Sequence, residues 1–481
     1  MQNGRLIIRA ELRQLYRNRS FWWLMLLLVF LMTLAAWNTV RQLEKKEEQV
    51  AVQQALVKTN DERLIAQIDS LQRGEADYSK SYTLPTSGVR LTYNNHRVTH
   101  LPFSPLALLA MGQSDIYSNY KKVVLYFNDS YEMNSEELIS PVEQLFGQLD
   151  LSFVLTYLLP LFIVLVSFNL LSLERETGRL PMIASQPLSI TYWLVVKLLV
   201  RFLFIFGLLI LTTLLLVLIF GVPATVFSSQ FLQLVLVLLL YCAFWFLMSL
   251  ATNLAGFASG KSLILLTSAW VLIVFLIPSV VNQASKELYP VPSRLQVINH
   301  HQASYNAMEA NLPAEMSELY QTHPDWASDD PVTKDLSNAT GWNIDYLAKQ
   351  YIAQLKHQPM AEAYEQKIDE RNHWLARVRL LSPAMVLQQA LTSLAGTSTL
   401  HYRSFLRQSK EYAAAYRQQV FKGLFTNHAF TAKEIRELPV FEFDRSSVPN
   451  TLLGDVLVLL VYVVLLMVMA MLFSRKNLSI K

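Results

Sequence analysis

The chain has 481 residues, of which 52% are apolar and only 16% are charged. A soluble globular protein carries about 25% charged residues, so the deficit indicates that part of this chain does not meet water. The net charge of +4 is too small to indicate a nucleic acid as a partner. The single cysteine, Cys242, excludes an intramolecular disulfide and a cysteine-based zinc site.

Six windows are apolar enough, at about 20 residues each, to cross roughly 30 Å of hydrocarbon as helices. The predicted spans are 21–40, 151–173, 202–222, 231–250, 262–281 and 452–473. The third window belongs to a longer apolar segment, 189–222, which contains Lys197 and Arg201. A cation at a helix centre costs about 2.5–3.5 kcal/mol on the insertion scale. We therefore expect both cations at the membrane edge, where long side chains reach the surface.

The charges that flank the spans predict the orientation. Five arginines precede the first span against a single acid, Glu11: Arg5, Arg9, Arg13, Arg17 and Arg19. Three more cations follow the last span: Arg475, Lys476 and Lys481. The positive-inside rule then places both termini in the cytoplasm, which an even number of spans satisfies. The arginine-rich lead is long for a signal peptide, so we expect the first span to be retained.

Alternating spans then divide the remaining segments between two sides. The cytoplasmic segments are 1–20, predicted as an interfacial helix, 174–188, 251–261 and the tail 474–481. The extracytoplasmic segments are 41–150 and 282–451, predicted as two domains. The predicted fold class is therefore an all-α polytopic membrane protein with about six transmembrane helices and two mixed but mainly helical extracytoplasmic insertions.

Both insertions contain patterns of regular structure. After the first span one aliphatic residue recurs every seven positions, which predicts a long amphipathic helix rather than a full coiled coil. The column is Leu43, Val50, Val57, Leu64 and Leu71. Residues 123–127 predict a short strand. In the second insertion 360–381 and 402–421 predict helices, and Pro383 ends the first of them.

The segment 174–188 carries a compact acid–base cluster. Glu174, Arg175 and Glu176 come directly after the second span, and Gly178 breaks the helix. Such a cluster has two interpretations, a charged helix end at the foot of a span or a coupling element that docks into a cytoplasmic motor. The arginines at 5, 9, 13 and 17 share one helix face, which suits anionic headgroups but also suits a plain topology anchor.

Two other motifs have ordinary interpretations. Residues 255–262, AGFASGKS, match a loose phosphate-loop pattern, but the short loop leaves no room for the preceding strand that such a site needs. Histidines occur as a pair at 300 and 301 and again at 96 and 100, without a companion metal or nucleophile motif. We interpret these histidines as surface or hydrogen-bonded residues and Asp115 as a turn residue or a cap.

Recognisable motifs accompany the inner cluster. The segment 153–206 resembles the core of ABC-2 type permeases, with a span, an E-R-E-x-G turn, an S-Q-P element and a span that carries a lysine. The matching residues are Glu174, Arg175, Glu176, Gly178, Ser185, Gln186, Pro187 and Lys197. The insertions resemble the ABC-2 subfamily with two large extracytoplasmic insertions, catalogued as a domain of unknown function. Its motifs are matched by 103–117, 382–397 and 401–425, with Trp270 and Pro278 in the fifth span.

This resemblance implies a permease that exports or extracts a substrate. It implies a homo- or heterodimer with a second permease, docked on separately encoded ATPase subunits in the bacterial inner membrane. Glu174, Arg175, Glu176 and Gly178 would form the coupling turn. ATP and magnesium would bind the partner ATPase, and we expect no catalytic residue, cofactor or metal in this chain. A periplasmic partner protein would meet the outer insertions.

Two further functions stay open from the sequence. The spans could transmit force to the outer insertions, which would act on periplasmic or envelope partners. The chain could also be a membrane-anchored enzyme or sensor. A continuous polar cavity between the spans favours transport, a sealed bundle favours force transmission, and a convergent acid–base or metal site favours an enzyme.

Overall fold

The structure, a computed structural model, describes residues 2–75, 77–78, 84–125, 149–309 and 311–478. These residues are mostly helical, with one antiparallel pair of short strands, β1 (Arg97–His100) and β2 (Tyr120–Val123). The helices are α1 (Gln2–Arg17), α2 (Arg19–Gln72), α3 (Gly88–Asn94), α4 (Leu151–Phe153), α5 (Leu159–Ser167), α6 (Ser172–Glu176), α7 (Leu180–Ala184), α8 (Ile190–Phe220), α9 (Ser229–Leu254), α10 (Ser259–Val271), α11 (Ile277–Leu288), α12 (Arg294–Glu309), α13 (Leu312–Thr322), α14 (Pro331–Lys334), α15 (Ala339–Val378), α16 (Pro383–Ala395), α17 (Thr399–Phe425), α18 (Ala432–Arg436) and α19 (Leu452–Leu478).

Six helical segments of the described chain are long and apolar enough to cross a membrane. They are the first part of α2, α4–α6, α8, α9, α10–α11 and α19, and each overlaps one predicted span. Together with α1 and α16 they share one apolar core, and we call this unit the bundle. In the fourth span 61% of the apolar window is buried, against 17% and 22% in the fifth and sixth. Helix α9 is therefore central, whereas α10 and α19 present apolar surface outward.

Two spans contain a π-helical turn, at Val154–Leu158 and at Leu272–Leu276. A proline follows each turn, Pro160 and Pro278, and each lacks the N–H that a carbonyl four or five residues earlier would accept. Side chains supply the missing donors from neighbouring elements. The Tyr241 hydroxyl donates to the carbonyl of Thr156 at 2.7 Å, and the Ser382 hydroxyl donates to that of Ile273 at 2.7 Å. Both irregular turns are thus stabilised by interhelical hydrogen bonds.

Described residues of the two segments predicted as domains, 41–150 and 282–451, share one apolar core. Apolar residues of both insertions share a single core, and we call this unit the head: Leu64, Ile68, Val89, Leu91, Val123, Leu125, Met308, Leu319, Trp326, Ile344, Leu347, Ile352, Tyr416, Val420, Phe421, Leu424 and Phe425 among them. The Tyr416 hydroxyl donates to the carbonyl of Asn95 at 2.8 Å. The helices and the two short strands in the described part of the first insertion bury their apolar sides against the second insertion.

Helix α2 connects the bundle to the head without interruption. It has 54 residues, which corresponds to about 80 Å at 1.5 Å per residue. The predicted column of aliphatic residues that begins at Leu43 has no exposed member, and Leu64 is buried in the head. The prediction of a long amphipathic helix after the first span is confirmed.

Other predicted elements of the head differ in their bounds. The predicted strand at 123–127 lies earlier, as β2, and residues 126–127 are outside the described part of the chain. The helix predicted from residue 360 begins at Ala339, because Ile344, Leu347 and Ile352 already bury an apolar face there. The helix predicted for 402–421 is confirmed as α17.

Helix α16, which belongs to the segment 282–451 predicted as an extracytoplasmic domain, packs in the apolar core of the bundle. Its residues are buried on nearly every side, in the same core as α9 and α19. With 13 residues it is too short to span, which is the length of a buried or re-entrant helix. The Gln388 amide donates to the Ser152 hydroxyl at 3.1 Å and accepts from Thr156 at 3.2 Å. Its polar group is therefore satisfied by the second span.

The motif stretches 103–117 and 382–397 pack against each other where the bundle meets the head. The Thr397 hydroxyl donates to the carbonyl of Ala110 at 2.9 Å, and the Gln113 N–H donates to the carbonyl of Thr397 at 2.8 Å. Gly112 has φ +51°, and a β-carbon there would lie 2.5 Å from the Thr397 carbonyl oxygen. This contact leaves no room for a side chain.

We predict that Gly112→Ala lowers the free energy of unfolding by about 2 kcal/mol or more, because strain at positive φ adds to a backbone clash. Gly74→Ala is the matched control, since φ is +70° there but no atom lies within 4 Å. Thermal unfolding of the two purified variants measures the difference. Equal losses at both positions would contradict a tight junction at residues 112 and 397.

Candidate coupling site

The charged residues 174–176 lie on α6, just after a break in the helix of the second span. The helix opens at 168–171, and the side chain of Asn253 from α9 enters the gap. Its amide nitrogen donates to the carbonyl of Ser167 at 3.0 Å, and its oxygen accepts from the N–H of Leu171 at 3.0 Å. This amide replaces one rung of the helical ladder and joins two spans. The break separates α5 from α6 and from the charged turn that follows.

Glu174 faces inward from α6 and belongs to a buried charge cluster. Its carboxylate lies 3.4 Å from the Lys197 ammonium, which lies 3.2 Å from the carboxylate of Glu11 in α1. Glu11 also accepts from the Arg201 Nε at 2.6 Å, and Arg201 donates to the carbonyl of Val166. All four charged side chains are at most 10% exposed. The two buried acids and the two buried bases balance in charge, which lowers the cost of burying them in a low dielectric. The exposed Arg179 guanidinium lies 3.9 Å from the Glu174 carboxylate at the edge of this cluster.

This arrangement corrects the prediction that the side chains of Lys197 and Arg201 reach the surface. Both side chains extend from α8 and are buried, Lys197 against α1 and α6 and Arg201 against α1 and α5. Their counter-charges come from segments distant in sequence, 190 residues away for Arg201 and Glu11. A hydropathy window does not contain such partners. The sequence feature that could have indicated these buried ion pairs is Glu11, the single acid among the arginines of α1.

The next two charges bind the loop between α9 and α10. The Arg175 guanidinium donates to the carbonyl of Gly256 at 2.6 Å. The Glu176 carboxylate accepts from the Ser259 N–H at 2.7 Å and from its hydroxyl at 2.8 Å. No side chain of its own segment caps the start of α10, and a carboxylate is favoured at a helix N-terminus. Glu176 is therefore a cap supplied by a different span.

Gly178 lies between α6 and α7 with φ +71°, a left-handed conformation that glycine adopts without strain. Residues 175–179 are exposed, and so are Pro181 and Met182, the latter at 74%. We call residues 175–182 the docking face. Three of the predicted site residues, Arg175, Glu176 and Gly178, lie on it, whereas the fourth, Glu174, is turned into the charge cluster.

The phosphate-loop match at 255–262 has a different local structure from a nucleotide site. The element before it is helix α9, and the helix after it begins against the carboxylate of Glu176. A phosphate at that position would meet a negative charge. Lys261 is exposed at this end of α10.

The N-terminal helix presents its arginines outward. Arg5, Arg9, Arg13 and Arg17 are all exposed, whereas Ile7, Glu11 and Leu15 on the opposite side are buried against the bundle. The exposed side also carries apolar residues: Leu6, Ile8, Leu12 and Tyr16. Cationic and apolar groups on one exposed surface suit contact with anionic headgroups at a membrane surface. The topology-anchor interpretation of the same arginines is equally compatible with this placement.

The histidines noted in the sequence lie in the head. His300 Nδ1 lies 3.1 Å from His357 Nδ1, and His100 Nδ1 lies 3.3 Å from the Gln54 amide. Burial lowers the pKa of His357, as does the neighbouring His300. Within the described residues no group of three or more histidine, cysteine, aspartate or glutamate side chains is placed to hold a metal ion. Asp115 ends a 3₁₀ turn, Gly112–Asp115.

These features define the class of the protein as a mostly helical membrane protein with six candidate spans, a helical head and a charged turn tied to several spans. Residues 294–444 match a family model described as a domain of unknown function, DUF3526. The matched region contains α12–α15, α17 and α18, which form much of the head, and the bundle helix α16. Comparison with curated proteins gives no match, and comparison with solved structures gives none.

Proposed function

We propose that this chain is the permease subunit of an ABC-2 type ABC transporter, which exports or extracts a substrate with energy from separately encoded ATPase subunits. The observation that carries the proposal is the connectivity of the turn at 174–178. Its charged residues bind α8 through Lys197, the loop before α10 through Gly256, and the start of α10 through Ser259. The resemblance of the same residues to the E-R-E-x-G turn supports it.

The chemistry of coupling follows from these contacts. ATP-driven movement of a cytoplasmic partner has to reach the spans through contacts that do not yield. A partner that displaces the docking face pulls on Glu176 and the N-terminus of α10, and it pulls on α1 and α8 through the charge cluster. Buried ion pairs resist separation, because each partner would leave an uncompensated charge behind. Movement of the turn would therefore be transmitted to α1, α8 and α10.

A second function, force transmission to partners outside the membrane, is favoured by the continuity between bundle and head. Helix α2 runs from one unit to the other without a break. At the end of α15, Arg379 lies 2.7 Å from the buried Asp455 carboxylate of α19, and the Tyr462 hydroxyl donates to the carbonyl of Leu380 at 2.7 Å. Movement of the spans would therefore move the head, where a periplasmic or envelope partner would bind.

The proposed orientation has the docking face in the cytoplasm and the head in the periplasm, with both termini cytoplasmic. Cysteine labelling tests this sidedness, because the one native cysteine, Cys242, is buried and Cys242→Ala removes it. Met182→Cys and Val440→Cys place thiols at residues that are 74% and 83% exposed. We expect a membrane-impermeant maleimide to label position 440 in intact spheroplasts and position 182 only after permeabilisation. The reverse pattern would overturn the proposed orientation.

Partner capture tests the function itself. Affinity purification of the tagged full chain from its native membrane should retrieve an ATP-binding subunit and a second permease or a second copy. The purified chain alone should hydrolyse no ATP, and the complex should. Recovery of a chain that hydrolyses ATP without any partner would contradict the proposal.

A further inference from the structure

A recess of about 320 Å³ lies where the bundle meets the head. Its walls are residues 102 and 104, the starts of α9 and α19, the end of α16, the start of α17 and the segment 443–451. The polar side chains that line it are Ser104, Ser229, Gln230, Gln233, Ser393, His401, Arg445, Asn450 and Thr451. Amides and hydroxyls offer donors as well as acceptors, so the recess can hold a polar group larger than water.

Among the described residues that line the recess, Arg445 and His401 are the ionisable ones. Burial and the charge of Arg445 lower the pKa of His401 to about 4, so this histidine is neutral at pH 7. Its Nδ1 lies 2.8 Å from the Ser398 hydroxyl. The nearby Asp444 carboxylate is outside the lining and accepts from the Ser446 N–H and hydroxyl. The recess therefore carries one positive charge and no negative one.

Arg445 is held in place by the backbone of the first insertion. Its Nη2 donates to the carbonyl of Phe103 at 2.8 Å and to that of Pro102 at 3.3 Å. A guanidinium has five N–H donors, so these two bonds leave others for a ligand. A fixed cation with free donors suits an anionic oxygen group, because little side-chain freedom is lost on binding.

Exposed apolar side chains of two helices lie beside the recess. The apolar parts of α9 and α19 begin beside it, and both helices expose leucines within the next two turns. Leu232 and Leu453 are 70% and 74% exposed, and Leu236 and Leu457 follow them. A ligand that occupies the recess therefore lies next to a surface suited to an acyl chain. Polar and apolar binding surfaces adjoin at the boundary of the candidate spans.

We propose that this recess binds the anionic headgroup of an amphiphile, whose apolar chain lies along the exposed leucines of α9 and α19. Arg445 carries the charge recognition, and Gln233 and Asn450 supply hydrogen bonds to the same headgroup. Binding of this kind requires only that the bundle lies in a membrane. It does not depend on the coupling site, so each proposal can fail without the other.

Lipid binding to the purified full chain tests the inference. Native mass spectrometry would compare phosphatidylglycerol with phosphatidylcholine of the same chain length, with inorganic phosphate as a competitor. We expect the native protein to prefer phosphatidylglycerol, and Arg445→Gln to weaken that binding about tenfold or more, as expected for a charged hydrogen bond. Arg407→Gln is the matched control, because Arg407 lies on α17 with its side chain 57% exposed.

A second variant separates ligand binding from local folding. Gln233→Leu removes an amide from the recess and leaves the Arg445 contacts to residues 102 and 103 in place. It should weaken phosphatidylglycerol binding while thermal unfolding stays near that of the native chain. Equal binding of the two lipids by the native protein, or unchanged binding in both recess variants, would overturn the proposal. Displacement of the lipid by inorganic phosphate alone would assign the recess to a free anion and overturn it too.

Discussion

Replacing Glu11 by glutamine is expected to lower the free energy of unfolding by about 3–5 kcal/mol, the usual loss when one partner of a buried ion pair is removed. Glu11 is 1% exposed and contacts both Lys197 and Arg201. Without its charge, two buried cations face the single carboxylate of Glu174. The helix α1 should then separate from the bundle before the spans do.

Thermal unfolding of the detergent-solubilised protein measures this loss, with Glu48→Gln as the control on an exposed part of α2. The double variant with Glu11→Gln and Arg201→Gln removes one charge of each sign and should recover part of the loss. The double-mutant cycle isolates the interaction between the two side chains. A melting temperature of Glu11→Gln equal to that of the control would mean that the charge cluster does not hold α1.

The spans were predictable because the membrane imposes a length that local sequence alone can satisfy. Helix α16 was not predictable in this way, since its 13 residues, which include two glutamines, are too few for the window and resemble any core helix. The shared core of the head was missed for a related reason. Its contacts join residues hundreds of positions apart, such as Asn95 and Tyr416, and no periodic pattern records such pairings.

In the candidate site, too, the local sequence predicts some features, whereas others depend on contacts between distant residues. The charged residues at 174–176 stand out in the sequence because they follow an apolar span directly. Which of them points inward depends on Lys197, whose burial in turn depends on Glu11. The sequence therefore identified the turn but gave Glu174 the same exposed role as Glu176. The tertiary contacts separate a buried structural charge from two charges that tie the docking face to other spans.

This separation changes which substitution tests coupling. Charge reversal at Glu174 would place a cation beside Lys197 in the buried cluster, so any loss of function would include a loss of stability. Glu176 is exposed, and its bonds to Ser259 link the docking face to the start of α10. Reversal there breaks the link at a site where water can solvate the new charge.

If the proposed function is right, we predict that Glu176→Lys uncouples the spans from the proposed ATPase partner while it leaves membrane insertion and subunit assembly intact. Hydrogen exchange of the reconstituted complex, with and without ATP, measures coupling as an ATP-dependent change in backbone protection of α8 and α10. In the native complex ATP should change the exchange rates of α8 and α10. In Glu176→Lys the ATP-dependent change in the exchange rate of α10 should be at least tenfold smaller, equivalent to a loss of about 1.4 kcal/mol of coupling free energy. Glu442→Lys, an exposed reversal in the head, is the control.

Rescue by Glu176→Gln distinguishes the link from a general effect of charge. Glutamine keeps a carbonyl oxygen that can accept from the Ser259 N–H, so part of the ATP-dependent protection should return. An ionic role towards the ATPase alone would give no rescue, because glutamine lacks the charge. If Glu176→Lys shows the same ATP-dependent exchange in α10 as the native complex, the turn at 174–178 does not carry force into the bundle. The assignment of this chain as the driven subunit would then lose its main support, because the docking face would have no mechanical path to the spans.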